Sequence, residues 1–357
     1  MRTKNFFVTV SVIVTLSLMF VLFGQEKPES IHDIVSTTNE QIRNFQVNLR
    51  DAETKTLNAD EKYLKILGFV DEPRSYPKDV WTNTSLPVVV TYVREGQESQ
   101  AIGFVINMAK VLPNNTVLIY NLGLDEQGFK LLTNFCNSSR CRVVDFDLNR
   151  FPPHVLLENL HAFRPLIIQD ALQHTGAVFF LESNYRLSHN VITKLFEDRA
   201  LKSGVLAWPL DLKNPVSSLT HKKMFEYFLT DADNFLFLEM VKSDALLIVN
   251  TPIVHRQVML PWVQCALTQD CIFPVGAQSA GCKFDKKPQY RYSGCHGYDA
   301  SALNVVLGLL FKQDGGAYTC YDNSSGYFDV IPLNEADRLL KRLESNSTTE
   351  ESFLRSS

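Results

Sequence analysis

No cysteine occurs among the first 135 residues, and none of the seven that follow stands in a C-x-x-C pair. That pattern argues against a zinc site, which is built from short paired spacings. No basic block occurs either, and the formal net charge is -4. Nucleic-acid binding calls for a basic stripe, so that class is excluded. The chain has no G-x-x-x-x-G-K-[ST] phosphate loop, no G-x-G-x-x-G turn and no G-x-S-x-G elbow, which removes the common phosphate-loop, dinucleotide and serine-hydrolase signatures. His154, His161, His174 and His189 show no metal-ligand spacing, and no internal repeat is present.

What is present begins at the N-terminus. Arg2 and Lys4 precede an apolar run, Phe6 to Phe23, interrupted only by Thr and Ser. A membrane-spanning helix needs about 20 mostly apolar residues, and positive charge on the N-terminal side favours a cytosolic N-terminus. A cleaved signal peptide has a shorter apolar core and a small-x-small cleavage site, for which Leu22-Phe23-Gly24 is a poor match. Residues 1–5 are therefore expected as a cytosolic tail and 6–24 as a transmembrane signal anchor. The rest of a single-pass type II protein would then lie in the lumen of the endoplasmic reticulum or Golgi. Sequons at Asn83, Asn114, Asn137, Asn323 and Asn346 all fall on that side, as glycosylation requires. In an oxidising lumen the cysteines are expected in disulfides. Cys136 and Cys141 can close a small loop around Asn137. The partners of Cys265, Cys271, Cys282 and Cys295 stay open, and an odd total that includes Cys320 leaves at least one thiol unpaired within the chain.

Residues 25–80 are polar and charged and read as a partly helical stem. From residue 81 to 335 a different pattern predicts one large domain. Short β-branched or apolar runs mark strands at 87–93, 116–121, 141–146, 176–181, 204–208 and 245–249, and helices are expected at 99–111, 125–135, 163–174, 189–196 and 298–311. Strands that alternate with helices form a mainly parallel sheet, and strands apolar throughout are covered on both faces. Residues 336–357, rich in Ser, Thr and Glu toward the end, read as a flexible tail.

Ligands of open α/β sheets bind outside the carboxyl ends of the strands. Glu182-Ser183-Asn184 follows the fourth strand, where an acid can hold a divalent cation that bridges a diphosphate. Asp299 opens a helix after the crowded approach Tyr290-Arg-Tyr-Ser-Gly-Cys-His296, and on its own is explained as a first-turn acid. Arg164 opens the helix before the fourth strand, and a guanidinium there can grip phosphate oxygens. Two D-x-D strings, at Asp145 to Asp147 and Asp231 to Asp233, are weak signals, and the second lies away from any strand end.

Five ordered stretches carry a resemblance. They are Val117-Leu-Ile-Tyr-Asn-Leu-Gly-Leu124, Phe163-Arg-Pro-Leu-Ile-Ile168, Gly176-Ala-Val-Phe-Phe-Leu-Glu-Ser-Asn-Tyr-Arg186, Cys271-Ile-Phe-Pro-Val-Gly-Ala277 and His296-Gly-Tyr-Asp-Ala-Ser-Ala-Leu-Asn304. With them the chain resembles a nematode-expanded family of glycosyltransferase-like membrane proteins and, more distantly, nucleotide-diphospho-sugar transferases of the GT-A fold. The resemblance implies a Rossmann-like GT-A sandwich. It also implies transfer of a sugar from a nucleotide donor to a glycan or glycoprotein acceptor, with Mn²⁺ or Mg²⁺ as a cofactor. Glu182 would hold metal and donor, with Arg164, Asn184 and Asn304 as further donor-binding residues and Asp299 as acceptor-side acid or base. Glu182 is expected to line a cleft shared with Asp299, with Arg164 on its rim and Asn184 on the same side. The family pattern places Asp where Glu182 stands, with a second acid nearby. That departure supports an alternative, a non-catalytic member that binds glycans or a protein partner.

Overall fold

The computed structural model describes residues 55–355, apart from 71–74, 79, 80, 82, 83, 286 and 322–325. The expected cytosolic tail (1–5), signal anchor (6–24) and most of the stem lie outside the described residues, as do Asn83 and Asn323 and the side chain of Asn346. Among the described residues no helix is long and apolar enough to cross a membrane.

Six strands form the central sheet: β1 (Ser85–Val93), β2 (Asn115–Asn121), β3 (Cys141–Asp145), β4 (Ala177–Leu181), β6 (Val205–Pro209) and β7 (Val241–Val249). Their order is β3-β2-β1-β4-β7-β6. The first four are mutually parallel, and β7 runs antiparallel to both β4 and β6. The mainly parallel α/β sheet expected from the strand–helix alternation is thus observed. A two-stranded antiparallel ribbon, β5 (Tyr185–Leu187) with β8 (Phe328–Val330), lies outside that sheet.

Successive residues of a strand face opposite sides of the sheet, and here both sides are covered. Val88, Val90 and Tyr92 of β1 join Val178 and Phe180 of β4 in one core. Val89 and Val93 join Phe179 and Leu181 in the other. The named helices are α1 (Glu61–Ile66), α2 (Glu98–Val111), α3 (Glu126–Phe135), α4 (Phe163–Thr175), α5 (Leu260–Leu267), α6 (Asp299–Leu310) and α7 (Leu333–Arg355). The first core receives α4, α5 and α6, and the second receives α2 and part of α3.

Local chemistry explains the boundaries. Asp125 caps α3 by accepting from the Gly128 amide at 2.7 Å, as an N-cap carboxylate does. Pro165 sits in the first turn of α4, where its missing N–H has no helical partner to lose. Gly176 ends α4 at φ +83, in the left-handed region that glycine enters without penalty. The helix expected at 189–196 starts later, at Ile192, and runs on through a π turn, Phe196–Ala200, to Ser203.

The flexible tail expected from residue 336 is corrected where it begins. Residues from 333 form α7, Ala336 is buried, and Ser99 Oγ of α2 donates to Asp337 at 2.6 Å. Ala336 and Leu340 supply an apolar side that packs near α2 and the second core. The Ser, Thr and Glu content that suggested disorder lies further along.

Three disulfides form, Cys136–Cys141, Cys265–Cys271 and Cys282–Cys295. Cys320 lies outside them and is buried.

Candidate functional site

Strand order places the site. From β1 the chain moves outward through β2 to β3 on one side, and β4 lies on the other. Between β1 and β4 the order reverses, and such a switch point opens a crevice at the carboxyl ends of the strands. Tyr92 lies at the end of β1 and Arg94 follows it, as Glu182 follows β4. Ser243 and Asp244 reach the same edge because β7 is antiparallel: Ala245 pairs with Leu181, and the Glu182 amide donates to the Asp244 carbonyl at 3.0 Å.

Arg164 holds this group together. Its Nη1 donates to Asp299 Oδ2 at 2.7 Å and to Ser243 Oγ at 2.9 Å, and its Nη2 donates to Glu182 Oε1. Tyr92 also donates to Glu182 Oε1, at 3.0 Å. Burial opposes charge on Arg164, but Asp299 and Glu182 outweigh burial and hold the guanidinium protonated. Burial likewise pushes the Glu182 carboxyl up, and Arg164 outweighs that, leaving it below the usual carboxylate range. The residues Arg164, Glu182 and Asp299, singled out from distant parts of the sequence, therefore meet.

Their arrangement corrects the expected roles. Arg164 is not on a rim but central and 5% exposed. Asp299 is 1% exposed and paired to Arg164, and its carbonyl accepts from Trp262 Nε1 at 3.0 Å. A carboxylate so enclosed positions the guanidinium and is not open to an acceptor. Asn304 has no free amide edge for a donor. Its Oδ1 accepts from the Val241 amide, and its Nδ2 donates to the Val241 and Ala300 carbonyls, at 2.8 to 2.9 Å. That clamp ties α6 to the start of β7, the segment carrying Ser243 and Asp244. Asn184 stands two residues beyond Glu182: its Oδ1 is buried without a partner, while its backbone carbonyl accepts from the Ile331 amide at 2.8 Å.

The structure adds residues that sequence reasoning missed. Arg94, the residue after β1, lies over the Phe163 ring with its guanidinium carbon 4.6 Å from the centroid. Tyr92 and His161 pack against the same ring at 4.8 and 5.9 Å. Nε and Nη2 of Arg94, Nε of Arg164 and Nδ1 of His161 are all buried and unpartnered. His161 adopts a left-handed conformation at φ 49, and burial followed by Arg164 depresses its basicity. On the β7 side, Tyr185 donates to Asp244 Oδ2 at 3.0 Å, while Asp244 Oδ1 is buried and unpartnered. Burial, then Glu182, raises the Asp244 carboxyl. The position of Arg94 immediately beyond a strand was the one available signal. Asp244 opens an apolar run whose direction only the sheet reveals.

Glu182 does not fit the metal-binding place expected of it. Oε1 already receives Arg164 and Tyr92, so a guanidinium stands where a cation would neutralise the carboxylates. Among the described residues no three His, Cys, Asp or Glu side chains gather as a metal site requires. His296, from the crowded approach to α6, is structural: its Nδ1 accepts from the His221 amide at 3.2 Å, and its Nε2 meets the Ile272 carbonyl at 3.2 Å. Asp145 of the first D-x-D string accepts from Asn121 at 2.8 Å.

Neither a protein-family model nor a curated relative matches the chain. Solved structures similar to it include the bifunctional glycosyltransferase WbbM (11% identity, TM-score 0.40, over 64% of this chain and 40% of that one). Core-mannan synthase A of Aspergillus fumigatus in a Mn/GDP form is similar at 11% identity and TM-score 0.41, over 73% and 77% of the two chains. The mannosyltransferase Ktr4p of S. cerevisiae is similar at 11% and 0.39, over 72% and 75%. The chain thus spans less than half the length of WbbM. Likeness at this level transfers no residue roles.

Proposed function

We propose that this chain is a glycosyltransferase-like protein of GT-A type that binds a nucleotide-diphosphate sugar at the β1–β4 switch point. One observation carries the reading. Unpartnered buried N–H groups of Arg94 and Arg164 and an unpartnered ring nitrogen of His161 gather on the β1 side, and unpartnered acceptors on Asp244 and Asn184 lie on the β4 and β7 side. Buried polar groups in folded proteins almost always have partners, and here water or a ligand would supply them. A diphosphate only accepts hydrogen bonds and suits the donors. Sugar hydroxyls can donate and suit the acceptors. Charge-assisted bonds from Arg94 and the Arg164 Nε would stabilise the negative charge that grows on the leaving diphosphate. These atoms are shielded from bulk solvent in this form, so ligand entry requires a local rearrangement.

In the proposed reaction the bond from the anomeric carbon to the diphosphate oxygen breaks. A bond to the acceptor hydroxyl oxygen forms, and the hydroxyl proton leaves. Asp244, with one unpartnered oxygen and a raised pKa, is the carboxylate placed to orient the sugar or take that proton. Its Tyr185 hydrogen bond fixes its other oxygen. No step is assigned to a metal, because Arg164 occupies the carboxylates that would hold one.

Lumenal placement in the Golgi or endoplasmic reticulum, with a glycan or glycoprotein acceptor, belongs to the same proposal. Its support is the Phe6–Phe23 run, the three disulfides and the exposed sequons Asn114 and Asn137. A second reading, a non-catalytic member that binds its ligand without turnover, is favoured by the engagement of both Glu182 and Asp299 with Arg164. Titration calorimetry of the full chain with UDP and GDP tests the site. At least one should bind, and Arg94→Ala should weaken it at least tenfold; absence of binding by both would sink the assignment. Binding of the matching nucleotide sugar without release of nucleotide would select the second reading.

A further inference from the structure

A second feature lies at the other end of α4. On the face of the sheet that α4 covers, Leu118 and Tyr120 of β2 and Arg142 and Val144 of β3 project side by side, as alternate residues of a strand must. Together with Trp81 and the last turns of α4 they enclose a cavity of about 370 Å³, within the usual range for small-molecule sites. His174 stands ten residues beyond Arg164, about 15 Å along the helix axis at 1.5 Å per residue, so the cavity is separate from the cluster described above.

Its polar groups are prepared in different ways. Tyr120, buried at 1% exposure, donates to Asp170 Oδ2 at 2.7 Å, and Gln173 donates to Oδ1 at 3.0 Å. The Asp170 carboxylate is thereby locked in place while keeping lone pairs for a further donor. His174 Nδ1 meets the Asp170 carbonyl at 2.7 Å. That bond requires the proton on Nδ1 and leaves Nε2 as an acceptor. The Arg142 guanidinium is exposed and makes no hydrogen bond or ion pair with a described residue. Trp81 is half-buried and lines the same space.

We infer that this cavity is a second ligand site that binds a carbohydrate ring. The lining offers acceptors on Asp170 and His174, donors on Arg142 and Trp81, and apolar or aromatic walls from Leu118, Val144 and Trp81. A sugar presents hydroxyls that both donate and accept, beside faces of C–H groups that pack on an aromatic ring. A phosphate only accepts, and would face the Asp170 carboxylate at a cost in repulsion. The inference is independent of the donor site and holds for a catalytic and a non-catalytic protein alike.

Trp81 supplies the probe. The other two tryptophans, Trp208 and Trp262, are 1% and 0% exposed, so a ligand that alters indole fluorescence at this cavity reports on Trp81. The full chain is titrated with methyl glycosides of glucose, galactose, mannose, N-acetylglucosamine and glucuronic acid, with uridine as a nucleoside control. At least one glycoside should change the emission saturably. Arg142→Ala and His174→Ala, both at exposed positions, should each weaken it at least fivefold without moving Tm, and Arg94→Ala should leave it unchanged. Overturning results are the absence of any saturable change with all five glycosides, an equal response to uridine, an affinity unaltered by both cavity variants, or loss of the response in Arg94→Ala.

Discussion

Arg164 Nη1 and Asp299 Oδ2 lie 2.7 Å apart across 135 residues of sequence, and both side chains are almost wholly buried. The pair joins the N-terminus of α4 to that of α6 beneath the switch point of the sheet. Ser243 and Glu182 occupy the same guanidinium, so one cation organises three other elements.

Removing Asp299 leaves Arg164, 5% exposed, with only Glu182 to balance its charge. Breaking such a pair from one side costs about 3–5 kcal/mol. Asp299→Ala should lower the free energy of unfolding by that amount, read from urea midpoints with an unchanged m-value. Glu182→Gln should cost less, because Arg164 keeps Asp299. If Asp299→Ala were as stable as the parent and lost only turnover, Asp299 would be a reacting group and not a positioning one.

The occupation of the carboxylates by Arg164 predicts how metals act. Mn²⁺ or Mg²⁺ alone should leave Tm unchanged, and EDTA should leave the Kd for a nucleoside diphosphate unchanged. A tenfold gain in affinity with Mn²⁺, about 1.4 kcal/mol, would mean that the cation displaces the guanidinium and that Glu182 is a ligand after all.

Asp244 should separate binding from chemistry. Asp244→Asn keeps an oxygen for Tyr185 but removes the charge and the proton-accepting capacity. Turnover of the nucleotide sugar should fall about 10²-fold or more, the usual scale of general acid–base catalysis, while affinity for the nucleoside diphosphate alone is retained. Equal losses in both would make Asp244 a structural residue.

Acid should destabilise the fold through buried histidines. Burial takes His296 from 6.5 down to about 3, partly offset by its bond to the Ile272 carbonyl. With the folded pKa depressed, the unfolded chain binds more protons as pH falls. This contribution is complete above about 6.5 and is lost between there and about 3, at roughly 1.4 kcal/mol per pH unit well inside that window. His154, His161 and His255 are shifted the same way by burial. Urea midpoints at pH 7.5 and 5.5 measure the loss. A stability that rises on acidification would contradict the neutral state assigned to His296.

Much of the frame was already legible along the chain. The runs at Val88–Val93, Val117–Tyr120 and Ala177–Leu181 are apolar on both sides of the strand, with Thr91 the one exception, because both faces of a parallel sheet are covered, and a local run is enough to reveal that. Asp125 and Gly176 mark helix ends through bonds and backbone angles confined to a few residues. Glu182 was found because a position after a strand is a local property. Periodicity and end signals therefore determined the six strands of the central sheet, the helices α2, α3, α4 and α6, the fold class and the edge on which to look for a ligand, but not the β5–β8 ribbon or α1, α5 and α7. Tertiary structure alone decided who meets whom. Reversal of β7 brought Asp244 to the site, and packing against Phe163 gathered Tyr92, Arg94 and His161. Enclosure turned Asp299 from a proposed acid or base into the counter-ion of Arg164, and spent the amide of Asn304 on the Val241 backbone. Those outcomes depend on strand direction and on the loss of solvent around a charge. Both are set by contacts between residues far apart in the chain, and no local pattern encodes them.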